Sequence, residues 1–493
     1  MSASKDVQFT LKVMINRDKT KVLFAEADSD FFDVLLSFLT LPLGKIAKII
    51  AEHYGDDKPR VGSLTSLYNG LVNLDVVHFH TESGKQMLLN PRSVFDKECR
   101  KLKLNISDSE PTKYFTCGQS SNGKHNFSMY YDTVRCDCGK TMSRETKLRS
   151  SEAAEDGDDG AFCRKGASFI IGDDMRVAPN VAGSVLRTLA ELGIRDIKGA
   201  EMRNVTFGYN EIIDLLKGML VSRTPLTDII IGKGQSNSDL LKFKPGVFLP
   251  KTEKPAASNS EKMMIMKVII QKSTHELLFA LAEDDFVDFL FSFLTIPLGG
   301  ALSLVGSSSC PTSLYNLYTS VQNINGDKYL TKDTKTKLRK TEIPVGFISL
   351  NQLFPLTEGG FSELYFVGAS ALPGLIDYLS PSTVTYRTPF LGHVRFRESN
   401  LLHLKSPKGN GNYVKGPTMY MVTNDLTVTP FCVASSLSIF DRLGIPLSDV
   451  DELELNIGLE EALSILKASL ASTSALTNGL FEPSLRKCVK QEQ

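Results

Sequence analysis

Residues 11–44 read LKVMINRDKTKVLFAEADSDFFDVLLSFLTLPLG, and residues 266–299 read MKVIIQKSTHELLFALAEDDFVDFLFSFLTIPLG. The two stretches align without a gap at a constant offset of 255 residues, so that Lys12 corresponds to Lys267 and Pro42 to Pro297. Self-similarity of this length is typical of an internal repeat. We therefore interpret the chain as two tandem copies of one unit.

Later segments extend the repeat at nearly the same offset. The motif SLYN at 66–69 recurs at 313–316, an offset of 247, which predicts a loop about eight residues shorter in the second copy. Near the end of each copy, NEIIDLLKGML at 210–220 corresponds to EEALSILKASL at 460–470, an offset of 250. The repeat thus spans most of the chain.

The repeat defines the predicted domain organisation. Residues 1–232 form the first copy and residues 263–493 the second. The residues between them, 233–262, are rich in Pro, Ser, Gly and Lys, which is typical of a linker. Within the first copy we assign a hairpin–helix part at its start, a cysteine-containing loop at 113–140, an acidic loop at 144–160 and a C-terminal part at 167–232. The second copy lacks the cysteine loop.

The start of each copy has the pattern of a β-hairpin followed by a helix. In the first copy, apolar residues alternate over Phe9–Ile15 and Lys21–Ala27. A side chain among residues 28–30 can cap the following helix, and Pro42 with Gly44 ends it. Because apolar residues occupy nearly every face of this helix, we expect it to be buried between layers; a partner-binding surface is the alternative.

The C-terminal part of each copy repeats short hairpins and single helices. In the first copy we expect a hairpin near 169–178, a helix over 182–192, a strand over 203–207 and a helix over 211–220. Hairpins alternating with single helices favour the α+β class, with mostly antiparallel sheets packed on short apolar helices. They argue against a doubly wound parallel sheet.

Composition excludes several classes of protein. The 493 residues include 56 Lys plus Arg and 56 Asp plus Glu, and this zero net charge argues against a general polyanion binder. Hydrophobic residues at 42% and charged residues at 23% indicate a globular chain. No apolar run is long enough to span a membrane, and the first residues have no signal core. We expect a cytoplasmic or nuclear protein, in a reducing compartment.

Cysteines supply the one chemical signal in the sequence. Cys117 ends the run KYFTC, and Cys136 and Cys138 lie in the run RCDCGK. Zinc prefers four thiolate or imidazole ligands, so the three cysteines predict one structural zinc site. Thiols without a metal, and a redox or catalytic role, are the other interpretations.

The fourth zinc ligand has several candidates. His125 is our first choice because it lies within the same loop, and Cys163 and Cys99 are the alternatives. No cysteine occurs between Cys310 and Cys432, so the site is not repeated in the second copy.

No motif of a known reaction is present. The sequence contains no phosphate-binding G-x-x-x-x-G-K-[ST], no G-x-G-x-x-G after a strand, no H-E-x-x-H and no G-x-S-x-G. We therefore assign no catalytic residue and no cofactor other than the zinc ion.

The repeated SFLT-x-PLG block resembles the plant family catalogued as domain of unknown function 674. The motifs SLYN, KYFTC and RCDCGK and the terminal EALSILKASL carry the same resemblance, which covers nearly the whole chain. It implies a land-plant protein of duplicated architecture with no established biochemical activity. Family members carry one more cysteine shortly after the position of Cys117, whereas residues 118–125 here read GQSSNGKH. The implied zinc site is therefore degenerate in this chain.

Three classes of function follow from these observations. The leading hypothesis is a non-enzymatic binding or scaffold protein with a protein partner, because no nucleophile is paired with a base. The second is an enzyme or small-ligand-binding protein with its site in the cleft between the copies, where Asp33 and Asp288 are the carboxylate candidates. The third is nucleic-acid binding through the cysteine loop and its aromatic residues, which are Tyr114, Phe115, Phe127, Tyr130 and Tyr131.

Overall fold

A computed structural model of the chain describes most of both predicted copies. The described residues are 6–55, 59–107, 112–117, 125–148, 160–181, 185–232, 262–306, 312–359, 364–368, 378–380, 386–388, 392–394, 396–408 and 411–481. The predicted linker, apart from Lys262, and residues 149–159 of the predicted acidic loop lie outside these ranges.

Runs of strands and runs of helices follow one another along the first half of the chain. In chain order they are β1 (Phe9–Ile15), β2 (Val22–Asp28), α1 (Ser29–Thr40), α2 (Leu43–Tyr54), α3 (Leu64–Asn73), α4 (Glu82–Leu89), α5 (Asp96–Cys99), β3 (Tyr114–Thr116), β4 (His125–Ser128), β5 (Arg144–Leu148), β6 (Ser168–Gly172), β7 (Val177–Pro179), α6 (Val185–Glu191), β8 (Glu201–Phe207), α7 (Tyr209–Val221) and α8 (Pro225–Ile231).

The second half follows a similar order. Its elements are β9 (Met264–Gln271), β10 (Leu277–Ala282), α9 (Asp284–Ser292), α10 (Leu298–Val305), α11 (Thr312–Asn323), α12 (Gly326–Tyr329), α13 (Thr334–Arg339), β11 (Glu342–Pro344), β12 (Thr357–Gly359), β13 (Leu364–Gly368), β14 (Tyr378–Ser380), β15 (Tyr386–Thr388), β16 (Gly392–Val394), β17 (Phe396–Leu404), β18 (Tyr420–Val422), β19 (Val428–Pro430), α14 (Val433–Leu443), β20 (Val450–Ile457) and α15 (Leu459–Ala471).

Each half contains a five-stranded antiparallel sheet. The strand order is β7-β6-β2-β1-β8 in the first sheet and β19-β18-β10-β9-β20 in the second. In each sheet the opening hairpin pairs with the hairpin from the C-terminal part of the same half. Helices pack on these sheets, so the predicted α+β class is confirmed.

Helix α1 is buried between layers, as its apolar pattern predicts. The Asp28 carboxylate caps it by accepting a hydrogen bond of 2.9 Å from the Phe31 N–H. All its residues except Asp30 are buried. One side of the helix faces the first sheet, and the other contacts α10 of the second half. A helix covered by both halves needs apolar residues all round.

A second helix, which the sequence analysis did not predict, begins directly after α1. Pro42 ends α1 as expected, but it is also the N-cap residue of α2, which starts at Leu43. Pro297 stands in the same position before α10. Proline has no N–H to leave unsatisfied and its φ suits a helix entry, so it separates two helices without a loop.

The two proline segments lie against each other at the centre of the molecule. The Leu43 N–H donates to the Ile296 carbonyl, and the Leu298 N–H donates to the Leu41 carbonyl, both at 2.9 Å. A Cβ added to Gly44 would lie 3.0 Å from the Leu294 carbonyl oxygen. The PLG motif therefore recurs because it forms a reciprocal contact between the halves that leaves no room for a side chain.

The halves also exchange helices, in the sense that one helix of each half packs on the other half. The Ser63 hydroxyl, before α3, donates to the Ser472 carbonyl at 2.7 Å, so α3 packs on the second half. Reciprocally, the Ser313 hydroxyl in α11 donates to the Ser222 carbonyl at 2.8 Å. Each of these helices lies over the sheet of the other half, and one continuous cluster of buried apolar side chains runs through both halves.

This exchange corrects the predicted alignment of the SLYN motifs. In α3 the buried tyrosine is Tyr68 and in α11 it is Tyr318, an offset of 250 rather than 247. Ser63 and Ser313 make the equivalent hydrogen bonds at the same offset. The two SLYN motifs therefore occupy positions about one helical turn apart in the two helices, because the buried positions repeat at the offset of 250.

A closed barrel joins the halves at a second place. Its strand order is β13-β14-β5-β3-β4-β17, with three strands from each half. The two junctions between halves, β14 with β5 and β17 with β4, are parallel, whereas pairs within a half are antiparallel. Residues 144–148, predicted to begin the acidic loop, are strand β5. The second half contributes its three strands without a cysteine.

None of the helices in the described part of the chain is long and apolar enough to cross a membrane.

Candidate metal centre

The three predicted cysteine ligands lie at one end of the barrel. Cys117 directly follows β3, and Cys136 and Cys138 lie in a tight turn after β4. In that turn the Gly139 N–H donates to the Cys136 carbonyl at 2.8 Å, and the Cys136 N–H donates to the Lys140 carbonyl at 2.9 Å. Gly139 has φ of 86°, a conformation that favours glycine, so the sequence C-D-C-G suits this turn.

The turn brings the three sulfur atoms together. The Sγ atoms of Cys117, Cys136 and Cys138 all lie within 4.8 Å of one another. With a zinc–sulfur distance of about 2.3 Å, thiolates on one tetrahedral zinc ion lie about 3.8 Å apart. Small side-chain adjustments would place all three sulfurs on one ion, so the donor set fits a metal of the zinc type.

Burial differs among the three cysteines. Cys136 is buried, Cys117 is half-buried and Cys138 is exposed. Cys136 packs in a small apolar cluster with Phe115, Val134 and Met142. The site therefore has an apolar inner side and an outer side open to solvent, a common arrangement at the edge of a small domain.

Polar contacts position the cysteine turn on the barrel. The Asp137 N–H, between the two cysteines, donates to Oδ1 of Asn126 in β4 at 2.8 Å. The Asp137 carboxylate forms an ion pair of 2.7 Å with Nζ of Lys405, which follows β17 of the second half. Arg135 donates to the Gly139 carbonyl at 3.1 Å. Both halves thus hold the turn that carries two of the three sulfurs.

The structure tests two candidates for the fourth ligand. Cys163 lies beside Asp33, and Cys99 lies 3.6 Å from the Thr40 hydroxyl. Burial raises the pKa of both thiols, that of Cys99 to about 12. Neither belongs to the sulfur cluster. These alternatives were wrong because both cysteines pack in the apolar core. The side chain of the first choice, His125, lies outside the part of the chain that the structure describes.

One family model matches most of the chain. The family model described as "Protein of unknown function (DUF674)" matches residues 5–458 and, in an overlapping second match, residues 393–493. The chain belongs to this family. No curated protein and no solved structure matches the chain at a significant level. The resemblance in the repeated block is confirmed, and DUF674 membership by itself names no reaction.

The paired aspartates of this DUF674 protein serve the fold. Oδ1 of Asp33 accepts the Cys163 N–H at 2.7 Å, and its other oxygen accepts the Ala161 N–H at 2.7 Å. Oδ1 of Asp288 accepts the N–H groups of Tyr413 and Val414 at 2.7 and 2.9 Å. Burial raises the pKa of both carboxyls, against these hydrogen bonds.

Each aspartate therefore holds a separate segment of backbone. The segments held by Asp33 and Asp288 bridge to the opposite half, through Cys163 with Leu330 and through Val414 with Phe79. One continuous cluster of buried apolar side chains also runs through both halves. The described residues do include an open polar groove of about 520 Å³, but it lies on the first sheet beside Lys12.

The aromatic residues of the cysteine loop do not form a stacking platform. Tyr114, Phe115 and Phe127 are buried inside the barrel region, and only Tyr131 is strongly exposed, at 62%. Base stacking on a nucleic-acid-binding surface needs several exposed rings. Tyr114 and Phe127 pack in the main apolar core, whereas Phe115, on the opposite face of β3, packs in the small cluster with Cys136.

Proposed function

We propose that this protein is a non-enzymatic binding or scaffold protein whose barrel is fastened by one structural zinc ion on Cys117, Cys136 and Cys138. The main support is the approach of three sulfurs to within 4.8 Å although they belong to two separated segments. Two thiols on a tight turn and a third at a strand end are suited to holding a metal rather than to attacking a substrate.

The energetics of the cysteine turn support a structural role for the metal. Among the described residues, the turn packs on a small apolar cluster of Phe115, Val134, Cys136 and Met142, with Cys117 against it. Apolar clusters of this size stabilise little structure, and small modules commonly use a metal or disulfide in addition. Zinc binding would therefore fix the hairpin against β3 and β4.

We place His125 as the fourth ligand in this proposal. Strands β3 and β4 pair with Thr116 opposite Phe127. Continuing this antiparallel register puts Cys117 opposite Asn126, whose Oδ1 also accepts the Asp137 N–H between the other two cysteines, and His125 directly precedes Asn126 in the chain. An imidazole from this position would complete a Cys₃His set, which is a common structural zinc site.

We further infer that the chain consists of two copies of one unit, 1–232 and 263–493, joined by the segment between them. The equal strand orders of the two sheets support this inference. So do the reciprocal hydrogen bonds around Pro42 and Pro297. The proposal also includes a protein partner and a location in the cytoplasm or nucleus.

Metal analysis of the full chain tests the zinc proposal. The variants are Cys138→Ser, which removes an exposed ligand, and Cys432→Ser as the matched control, because Cys432 is exposed and outside the cluster. We expect about one zinc ion per chain in the wild type and control and a loss of zinc in Cys138→Ser. A chelator should lower the melting temperature of the wild type and of Cys432→Ser, but not that of Cys138→Ser. Equal, substoichiometric zinc in all three would reject the proposal.

A further inference from the structure

The outer faces of the two sheets offer an internal comparison. One helix covers part of each face: α6 packs Leu189 on Ile170 of the first sheet, and α14 packs Phe440 on Phe279 of the second. Beyond each helix, a row of side chains on the same face remains uncovered. The two rows occupy equivalent positions, because the sheets have the same strand order.

The row on the first sheet is polar. Thr10 in β1, Asp28 at the end of β2 and Ser168 in β6 are neighbours on adjacent strands. Asn180 continues the row, because its N–H donates to the Ser168 carbonyl at 2.8 Å.

The row on the second sheet is mainly apolar. Extending the strand registers puts Ile265 of β9 next to Glu283 and Glu283 next to Met419. Phe431 continues this row, because its N–H donates to the Met419 carbonyl at 3.0 Å. Thus Ile265, Met419 and Phe431 stand where the first sheet has Thr10, Ser168 and Asn180.

These apolar side chains are open to solvent. The exposed fraction is 54% for Ile265, 37% for Met419 and 37% for Phe431, and Met263 beside them is 53% exposed. We call these four residues the second-sheet patch. The first sheet shows that the fold accepts polar residues at three of these positions. Their apolar character therefore does not serve folding, and exposed apolar residues grouped on one face typically mark an interaction site.

Charges around the patch indicate what kind of partner it fits. Glu283 lies within the row between two apolar residues and is exposed. Glu452 and Glu454 are exposed on the neighbouring edge strand β20, where Lys267 forms an ion pair of 2.8 Å with Glu452. With Asp284, which accepts the Thr418 N–H, four carboxylates stand against two lysines, Lys262 and Lys267, so the surroundings are acidic. Complementary charges favour a partner with basic side chains beside its apolar ones.

We propose that the second-sheet patch docks a basic amphipathic segment of a partner protein, with apolar side chains on Ile265, Met419 and Phe431 and Lys or Arg side chains toward Glu283 and Glu454. This inference rests on the binding role proposed above and names the partner class. It does not depend on the zinc ion, because the patch is built from the second sheet.

Peptide binding to the full chain tests this inference. The probe is a short fluorescent peptide of Leu, Phe and Lys, and its counterpart has Glu in place of each Lys. The test variant is Ile265→Thr with Met419→Ser and Phe431→Asn, which installs the residues that the first sheet has. The control variant is Leu186→Ser with Leu447→Ser, at residues exposed by 84% and 64% away from the patch.

We expect fluorescence anisotropy to show binding of the Lys peptide to the wild type. The affinity should fall about tenfold or more in the test variant and stay unchanged in the control. Added salt should weaken binding, and the Glu peptide should not bind. Equal binding by wild type and test variant would overturn the proposal. So would a wild-type dimer that the test variant loses, because the occupant would then be a second copy. Unchanged zinc content in all variants separates this outcome from a failure of the metal proposal.

Discussion

At the scale of single residues, Lys408 shows how the interior controls charge. Its Nζ donates to the Ile348 carbonyl and lies 5.1 Å from the centre of the Tyr413 ring. Burial lowers its pKa from 10.5 to about 8, although Asp288 and Glu358 act in the opposite direction. The folded protein therefore releases a proton that the unfolded chain keeps.

This difference predicts a pH-dependent contribution of Lys408 to stability. Between the folded pKa of about 8 and the unfolded value of 10.5, the unfolded chain binds more protons, so the contribution rises with pH in this window. Relative to Lys408→Met, the wild-type free energy of unfolding should increase by about 2 kcal/mol from about pH 7 to about pH 9.5. Urea unfolding measures it, with exposed Lys272→Met as the control. A difference independent of pH would refute the shift.

Gly299 provides a steric prediction at the centre of the molecule. A Cβ added there would lie 2.9 Å from the Leu338 carbonyl oxygen and 3.1 Å from that of Leu39. Both are backbone atoms that cannot move freely, so Gly299→Ala should lower the free energy of unfolding by about 1–3 kcal/mol. The matched control is Gly326→Ala, where the nearest atom is a flexible lysine carbon at 3.5 Å. Equal stability of the two variants would contradict the close contact.

At the scale of elements, a lysine side chain from a later helix donates to carbonyls at the C-terminal end of each exchanged helix. Lys85, which is buried, donates to the carbonyls of Val72 and Leu74 at 3.0 and 2.5 Å at the end of α3. Lys335 donates in the same way to the Gln322 carbonyl near the end of α11, at 2.8 Å. Cations at helix C-termini satisfy the last carbonyls and interact favourably with the helix dipole.

Removing one of these caps should destabilise the exchanged helix. We expect Lys85→Met to cost about 1–3 kcal/mol, because it leaves the buried Leu74 carbonyl without this donor. Hydrogen exchange should show the loss of protection first in α3, since that is the element whose end is uncapped. An equal loss of protection in all helices would contradict a cap that acts mainly on α3.

Elements with a local pattern were predictable from the sequence. The alternation of β1 and the apolar surface of α1 are properties of consecutive residues, and both elements were predicted within one or two residues. Helix α2 was missed because Pro42 ends one helix and caps the next. The barrel was missed because its strands are short, such as β3 with three residues, and their partners lie in the other half.

The three cysteines of the candidate site were predictable from the sequence, but their surroundings were not. Cys117, Cys136 and Cys138 were identified from chemistry and spacing, and the structure brings their sulfurs together. The exclusion of Cys99 and Cys163 required the fold, because only packing shows that they lie in the core. The support from Lys405 also comes from the other half and has no local signal.

At the scale of the whole molecule, the halves behave as one body. They share a continuous apolar core, a closed barrel and the exchanged helices. Cutting an inserted protease site in the segment 233–261, outside the described residues, should therefore leave the two fragments associated and unfolding in one transition. Size-exclusion chromatography and calorimetry measure this. Fragments that separate under native conditions would contradict the interlocked arrangement.

The proposed zinc site is central to this account, since three side chains from two segments would fasten the barrel that both halves build. X-ray absorption at the zinc edge of the purified full chain tests this most directly. We predict three sulfur neighbours at about 2.3 Å and one nitrogen at about 2.0 Å. The nitrogen signal should be lost in His125→Ala and one sulfur in Cys138→Ser. A spectrum of oxygen and nitrogen neighbours without sulfur, or a protein that retains no zinc, would contradict the account.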